Sequence, residues 1–229
     1  MKNTKPELIV MLTHNDKTVA NAFELFDKYK DTKAEYWGFK EEGIPHSEMK
    51  QLYSYMQNSG KKTVLEVVAY TEKECLQGAY LAAEYGCDIL MGTLFFNSVN
   101  RFCQRHNIKY MPFVGKVTGR PSVLGGSIEE IIQEANRYLE QGVYGFDLLG
   151  YRYTGDVNKL LKEFVSKIHA PVCIAGSINS YSRLNEVKKV NPWAFTVGGA
   201  FFENKFNGSF GEQINEVYEY AKEWRKQNA

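Results

Sequence analysis

Five side chains capable of acid-base or amine chemistry stand in or just after short apolar runs. They are His14 after ELIVMLT, Lys40 closing AEYWGFK, Glu66 inside KTVLEVVAY, Lys116 closing IKYMPFVGK and Asp147 inside VYGFDLLG. An ionised Glu66 in such a run is costly unless it meets a partner or a polar interior. Burial of this kind tunes a carboxyl toward proton transfer, or equally marks a structural hydrogen bond. Lys116 could form a Schiff base, polarise a carbonyl or bind phosphate. Asp147 could pair with Lys116 or act as a second proton-transfer group, with Tyr151, Arg152 and Tyr153 shaping a substrate pocket. Lys40 and Glu41 form either a local ion pair or a substrate contact in which Lys40 stabilises developing negative charge. His14 with Asp16 offers an alternative acid-base pair. Thr93 and Arg120 complete the polar groups expected to touch substrate.

Two small-residue turns supply a different chemistry. AGSIN at 175–179 and VGGA at 197–200 each follow an apolar run. Glycine lets the backbone approach a ligand closely, so Gly176, Ser177, Gly198, Gly199 and Ala200 could aim N–H groups at phosphate oxygens; alone, either segment could equally be a tight turn. Ser177 and Asn179 could donate further bonds or cap the helix that follows.

These groups need a scaffold that brings distant segments together. Strands are expected at 7–13, 34–40, 62–70, 87–95, 108–116, 143–150, 170–177 and 193–200, where β-branched and aromatic residues concentrate. Helical periodicity runs through 17–31, 47–60, 71–86, 127–142, 157–169 and 210–227, and more weakly through 97–106 and 180–190. Thr71 with Glu74 and Ser127 with Glu130 read as capping boxes, and Gly60, Gly86 and Gly142 as helix terminators. Eight strand-helix units of similar length predict an α/β fold, a single-domain (β/α)8 TIM barrel over 1–229, in preference to an open doubly wound sheet. In such a barrel the loops after the strands share one face, which is where the polar groups above fall. The segment 115–127, with four glycines, reads as a loop that covers substrate.

The eight-unit order, AGSIN after the seventh strand and VGGAFF after the eighth resemble the ribulose-phosphate-binding barrel superfamily over nearly the whole chain. That resemblance implies sugar-phosphate epimerase, isomerase, decarboxylase or aldolase activity, with Gly176, Ser177, Gly198 and Gly199 as the phosphate-holding turns. The third strand, VLEVVAYTEKE, lacks the DxKxxD arrangement of the decarboxylase families.

Composition narrows the remaining classes. Lys and Arg total 28 against 27 Asp and Glu, a formal charge of +1, so no broad field attracts nucleic acid or an anionic membrane. The 15 Tyr and 14 Phe are expected in packing layers. Four dispersed cysteines and an N-terminus without a long apolar segment point to a reduced, cytoplasmic protein. No cofactor is required by any motif; Mg²⁺ could assist enolate chemistry, though no acidic spacing is diagnostic of it. Loops at 14–20, 40–48 and 116–128 could serve as lids or as a homodimer interface. The function expected is a phosphosugar lyase or isomerase, aldolase- or epimerase-like, acting on a small phosphorylated metabolite by carbonyl polarisation and proton transfer. The alternative is a noncatalytic phosphometabolite sensor or scaffold barrel.

Overall fold

The computed structural model describes residues 6–223. Its eight barrel strands are β1 Glu7–Met11, β2 Tyr36–Lys40, β3 Lys62–Ala69, β4 Ile89–Thr93, β5 Lys109–Met111, β6 Phe146–Leu148, β7 Val172–Ile174 and β8 Ala194–Val197. All pair in parallel, in the order β6-β7-β8-β1-β2-β3-β4-β5. A parallel bridge between Phe113, just beyond β5, and Asp147 in β6 closes the ring. There the Asp147 amide donates to the Pro112 carbonyl at 3.1 Å. The fold is therefore the expected (β/α)8 barrel.

Helices α1 Ala22–Tyr29, α2 His46–Asn58, α3 Glu72–Tyr85, α4 Asn97–Arg105, α5 Ile128–Glu140, α6 Val157–Lys167 and α7 Tyr181–Val190 follow the first seven strands, and α8 Gly199–Phe202 and α9 Phe210–Glu223 follow the last. Local chemistry sets their ends. Ser127 and Glu130 form the full reciprocal capping box of α5, Thr71 caps α3 through the Glu74 amide, and Gly86 ends α3 in a left-handed conformation. The expectation of a last helix reaching 227 extends past the described residues.

Period-two alternation sorts each strand into two environments. Leu8, Val10, Trp37, Phe39 and Leu65 face the helices in the larger core, whereas Ile9, Met11, Val64, Ile89, Met91, Met111, Cys173 and Ala194 fill the barrel interior. One end is plugged by aromatic rings, with Trp193 meeting Tyr36 edge-on at 5.5 Å and Tyr144 at 6.3 Å. The plug lies at the start of the strands, so the interior opens only at their C-terminal ends. Gly38 is required on the inner face of β2: a Cβ there would lie 2.9 Å from Val64 Cβ and would also collide with the Val64 carbonyl.

Two antiparallel hairpins interrupt the expected simple alternation. Thr13–His14 pairs with Lys17–Thr18, so residues 17 and 18 belong to a hairpin and α1 begins only at Ala22. Asn15 and Asp16 make its turn at positive φ, conformations that Asn and Asp tolerate best among residues with a Cβ. Lys116–Thr118 pairs with Val123–Gly125, so the glycine-rich segment is an ordered hairpin with a short tip. Among the described residues, no helix is long and apolar enough to cross a membrane.

Candidate active site

A cavity of about 500 Å³ occupies the open end of the barrel. His14, Lys40, Glu66, Arg120, Asp147, Asn179 and both glycine turns, Gly176–Ser177 and Gly198–Ala200, line it. Their strands explain the convergence. Lys40 and Glu66 are register partners on adjacent strands, both on the inner face, and Asp147 occupies the inner face of β6.

The Lys40 ammonium is buried and contacts the Asp16 carboxylate, with Glu66 Oε1 at 4.0 Å. Burial alone would lower its pKa, but Glu66, Asp16 and Glu41 outweigh that cost and raise it. A charge pair at this separation has a gross attraction of about 4 kcal/mol at an effective dielectric near 20. Lys40 therefore stays an ammonium.

Asp147 is the opposite case. Only 1% of it is exposed, and neither carboxyl oxygen has a hydrogen-bond partner. Burial, reinforced by Glu66, pushes its pKa well above the ordinary carboxyl value, while Lys40 and Arg152 counter only in part. Burial thus favours the protonated form of Asp147 on the cavity wall, a form able both to donate and to accept.

The phosphate-type turns have the backbone geometry that close approach demands. Gly176 and Ser177 adopt φ of +88° and +62°. Gly198 precedes α8, whose first amides have no partner within the helix. Arg152 lies over Gly176, with its Cγ 3.0 Å from where a Cβ would be, and it lines the cavity. Thr13 Oγ1 is buried without a partner on the same wall. At the rim His14 stacks on Phe202 at 5.4 Å, with its Nε2 3.7 Å from Glu203 Oε1.

The second hairpin covers part of the mouth through Arg120, Pro121 and Ser122. Arg120 bonds Glu42 at 3.0 Å and the Val68 carbonyl at 2.6 Å there. Tyr70 holds the tip by donating to the Gly119 carbonyl at 2.7 Å, with Ser122 also at 2.7 Å. Behind this wall, Glu41 accepts the Val68 amide at 3.0 Å through Oε1, while its buried Oε2 has no partner. Burial, with a contribution from Glu66, raises the Glu41 pKa to about 7.

Several expected contacts lie elsewhere. β5 ends at Met111 and the chain turns outward at Gly115, φ +78°, whose amide is held by Glu134. Lys116 is consequently exposed on the hairpin beside α5, outside the cavity, and cannot pair with Asp147. Thr93 would follow Ile89 and Met91 inward, but Gly92 at φ +89° breaks the alternation. Its hydroxyl instead meets Tyr110 at 2.7 Å, on the helix side of the sheet. A short 3₁₀ turn at Gly150–Arg152 sends Tyr151 to the Arg183 carbonyl of α7, 3.0 Å away, leaving Arg152 at the cavity. Nor do Ser177 and Asn179 cap α7, since Ser180 does so. Glu41 turns to the β3 backbone and away from the cavity.

Thr13 and Glu203 also line the cavity. Thr13 continues the inward alternation of Ile9 and Met11, a signal present in the sequence. Glu203 depends on the turn made by α8, which no local pattern announces. Among the described residues, no group of three His, Cys, Asp or Glu side chains could hold a metal ion.

No family model and no curated protein matches the chain. Solved structures do. One described as native KDPGal superimposes with a TM-score of 0.70 at 12% identity, covering 98% of each chain. Phosphoribosyl anthranilate isomerase, in complex with a reduced 1-(o-carboxyphenylamino)-1-deoxyribulose 5-phosphate, gives 0.64 at 15% identity over 95% of this chain and 98% of the other. The glycerol uptake operon antiterminator regulatory protein from Listeria monocytogenes str. 4b F2365 gives 0.59 at 15% identity over 87% and 95%. The likeness establishes the barrel. At these identities the chemistry rests on the residues of the cavity.

Proposed function

We propose that this chain is a phosphosugar isomerase or lyase of the ribulose-phosphate-binding type, which transfers a proton beside a substrate carbonyl. The observation that carries this reading is the set Lys40, Glu66 and Asp147, an amine with one carboxyl group beside it and a second carboxyl group buried without a partner, sharing a cavity with two glycine turns. The turns, with Arg152 and Thr13, would hold phosphate. The Lys40 ammonium would hydrogen-bond the carbonyl oxygen and stabilise the enediolate that forms there. Glu66 would take the proton from the adjacent carbon, and Asp147 would return one.

The charge on Lys40 favours the epimerase or isomerase version over an imine-forming aldolase, because a Schiff base starts from a neutral amine. Lys116, the other candidate amine, is exposed outside the cavity. The test is deuterium uptake from D₂O by a panel of phosphorylated ketoses and aldoses. Exchange at the carbon beside the carbonyl, lost in Glu66→Gln and without a borohydride-trapped lysine adduct, is the expected result.

A noncatalytic phosphometabolite sensor is the second reading. It is supported by the barrel's likeness to an antiterminator regulatory protein. Binding without exchange, cleavage or isomerisation across the panel would select it.

A further inference from the structure

We infer that the ligand of this cavity is charged at one end only: its phosphate lies at the β7 and β8 turns, and the end facing Lys40 and Asp147 is an uncharged, hydroxyl-bearing carbonyl compound, not a carboxylate. This rests on the reading of those turns as the phosphate site. Proton transfer beside a carbonyl is compatible with two substrate classes, a phosphorylated sugar and a phosphorylated 2-keto acid. They differ at the end away from phosphate.

The cavity wall is sorted by charge. At the β1 to β3 side, Lys40 is matched by two carboxylates, Asp16 in contact and Glu66 at 4.0 Å, leaving an excess negative charge. Of the neighbouring cations, Arg120 bonds Glu42 and the Val68 carbonyl and His14 faces Glu203 at the rim, while Arg152, which also acts on Asp147, lies over Gly176, where a bound phosphate would engage it. A ligand carboxylate placed beside Lys40 would meet Asp16 and Glu66 at close range in a partly desolvated space, where like charges repel strongly.

Asp147 makes the same selection by hydrogen bonding. Both of its oxygens are buried and unpartnered in the cavity wall. Its protonated form, which burial favours, offers a donor and an acceptor together. A hydroxyl pairs with both, whereas a carboxylate accepts only and would leave the Asp147 carbonyl oxygen unsatisfied. Asp16 is therefore a specificity residue: it contacts Lys40 without being assigned a proton-transfer role.

The test is calorimetric binding of three probes to the full chain: a ketose phosphate, a phosphorylated 2-keto acid of the same carbon number, and the unphosphorylated ketose. The ketose phosphate should bind at least about tenfold more tightly than the keto acid, and Asp16→Asn should narrow that ratio about tenfold by removing one repelling charge. Asn tolerates the positive φ of +64° at this position, so the hairpin turn should be preserved. Glu66→Gln provides an independent second variant with the same expected direction. Equal or tighter binding of the keto acid to the unaltered protein, with the unphosphorylated ketose binding poorly, would overturn the charge-sorting inference while leaving the phosphate reading intact. Binding of none of the probes, or equal binding with and without phosphate, would overturn the phosphate reading and this inference with it.

Discussion

Replacing Glu41 by Gln should make the protein more stable in mild alkali and flatten the dependence of its stability on pH. In the folded chain the Glu41 carboxyl moves from an ordinary 4.5 to about 7, chiefly through burial. Because the folded value is the higher, the stabilisation contributed by the proton is fully present below pH 4.5 and is lost as pH rises through 7. The displacement is equivalent to about 3 kcal/mol, of which about 2 kcal/mol falls between pH 5 and pH 8. Lys40, Glu66, Glu42 and Arg120 are the other charged groups around Glu41, and none of them is altered. Gln can still accept the Val68 amide, and its NH₂ group replaces the unpartnered Oε2. Urea midpoints at pH 5 and pH 8 measure the effect. The variant should overtake the unaltered protein at pH 8 by about 1 to 2 kcal/mol, after the cost of housing an unbonded NH₂ group. An unchanged pH slope in Glu41→Gln would refute the assignment of a buried, proton-bearing carboxyl to this position.

Three further outcomes follow from the same structure. Asp147→Asn should cut turnover about a hundredfold or more by removing the acid. Its stability at pH 8 should equal or exceed that of the unaltered protein, because Asp147, whose folded pKa is raised, becomes increasingly destabilising as pH rises; steady-state kinetics and urea melts separate the two effects. Gly38→Ala should lose about 3 kcal/mol or fail to fold, since the new Cβ is forced against the Val64 backbone between β2 and β3. Lys116→Ala should leave turnover within about twofold, as expected of an exposed side chain away from the chemistry.

The barrel was legible because its signal is repeated. Eight apolar runs, each followed by an amphipathic segment, constrain one another, and capping residues such as Ser127 and Glu130 mark helix starts independently. The inner-face positions of Lys40, Glu66 and Asp147 follow from alternation and from their place at the open end of the strands. What was hidden depends on single backbone dihedrals. A left-handed Gly92 reverses the side on which Thr93 emerges, and Gly115 carries Lys116 outward before the strand could continue. A 3₁₀ turn likewise sends Tyr151 to α7 and keeps only its neighbour Arg152, expected there with it, at the cavity. The antiparallel hairpin at Thr13–His14 and Lys17–Thr18 leaves no periodic signal in the sequence, because its strands are only two residues long.

The central claim is that the barrel mouth holds phosphate at one side and activates a carbonyl at the other. A crystal structure of Glu66→Gln with a ketose phosphate bound tests it most directly. The account predicts phosphate oxygens accepting hydrogen bonds from the Gly176, Ser177, Gly198 and Gly199 amides, with the carbonyl oxygen on the Lys40 ammonium. Phosphate seated elsewhere, or a carbonyl directed away from Lys40 with the turns empty, would contradict it.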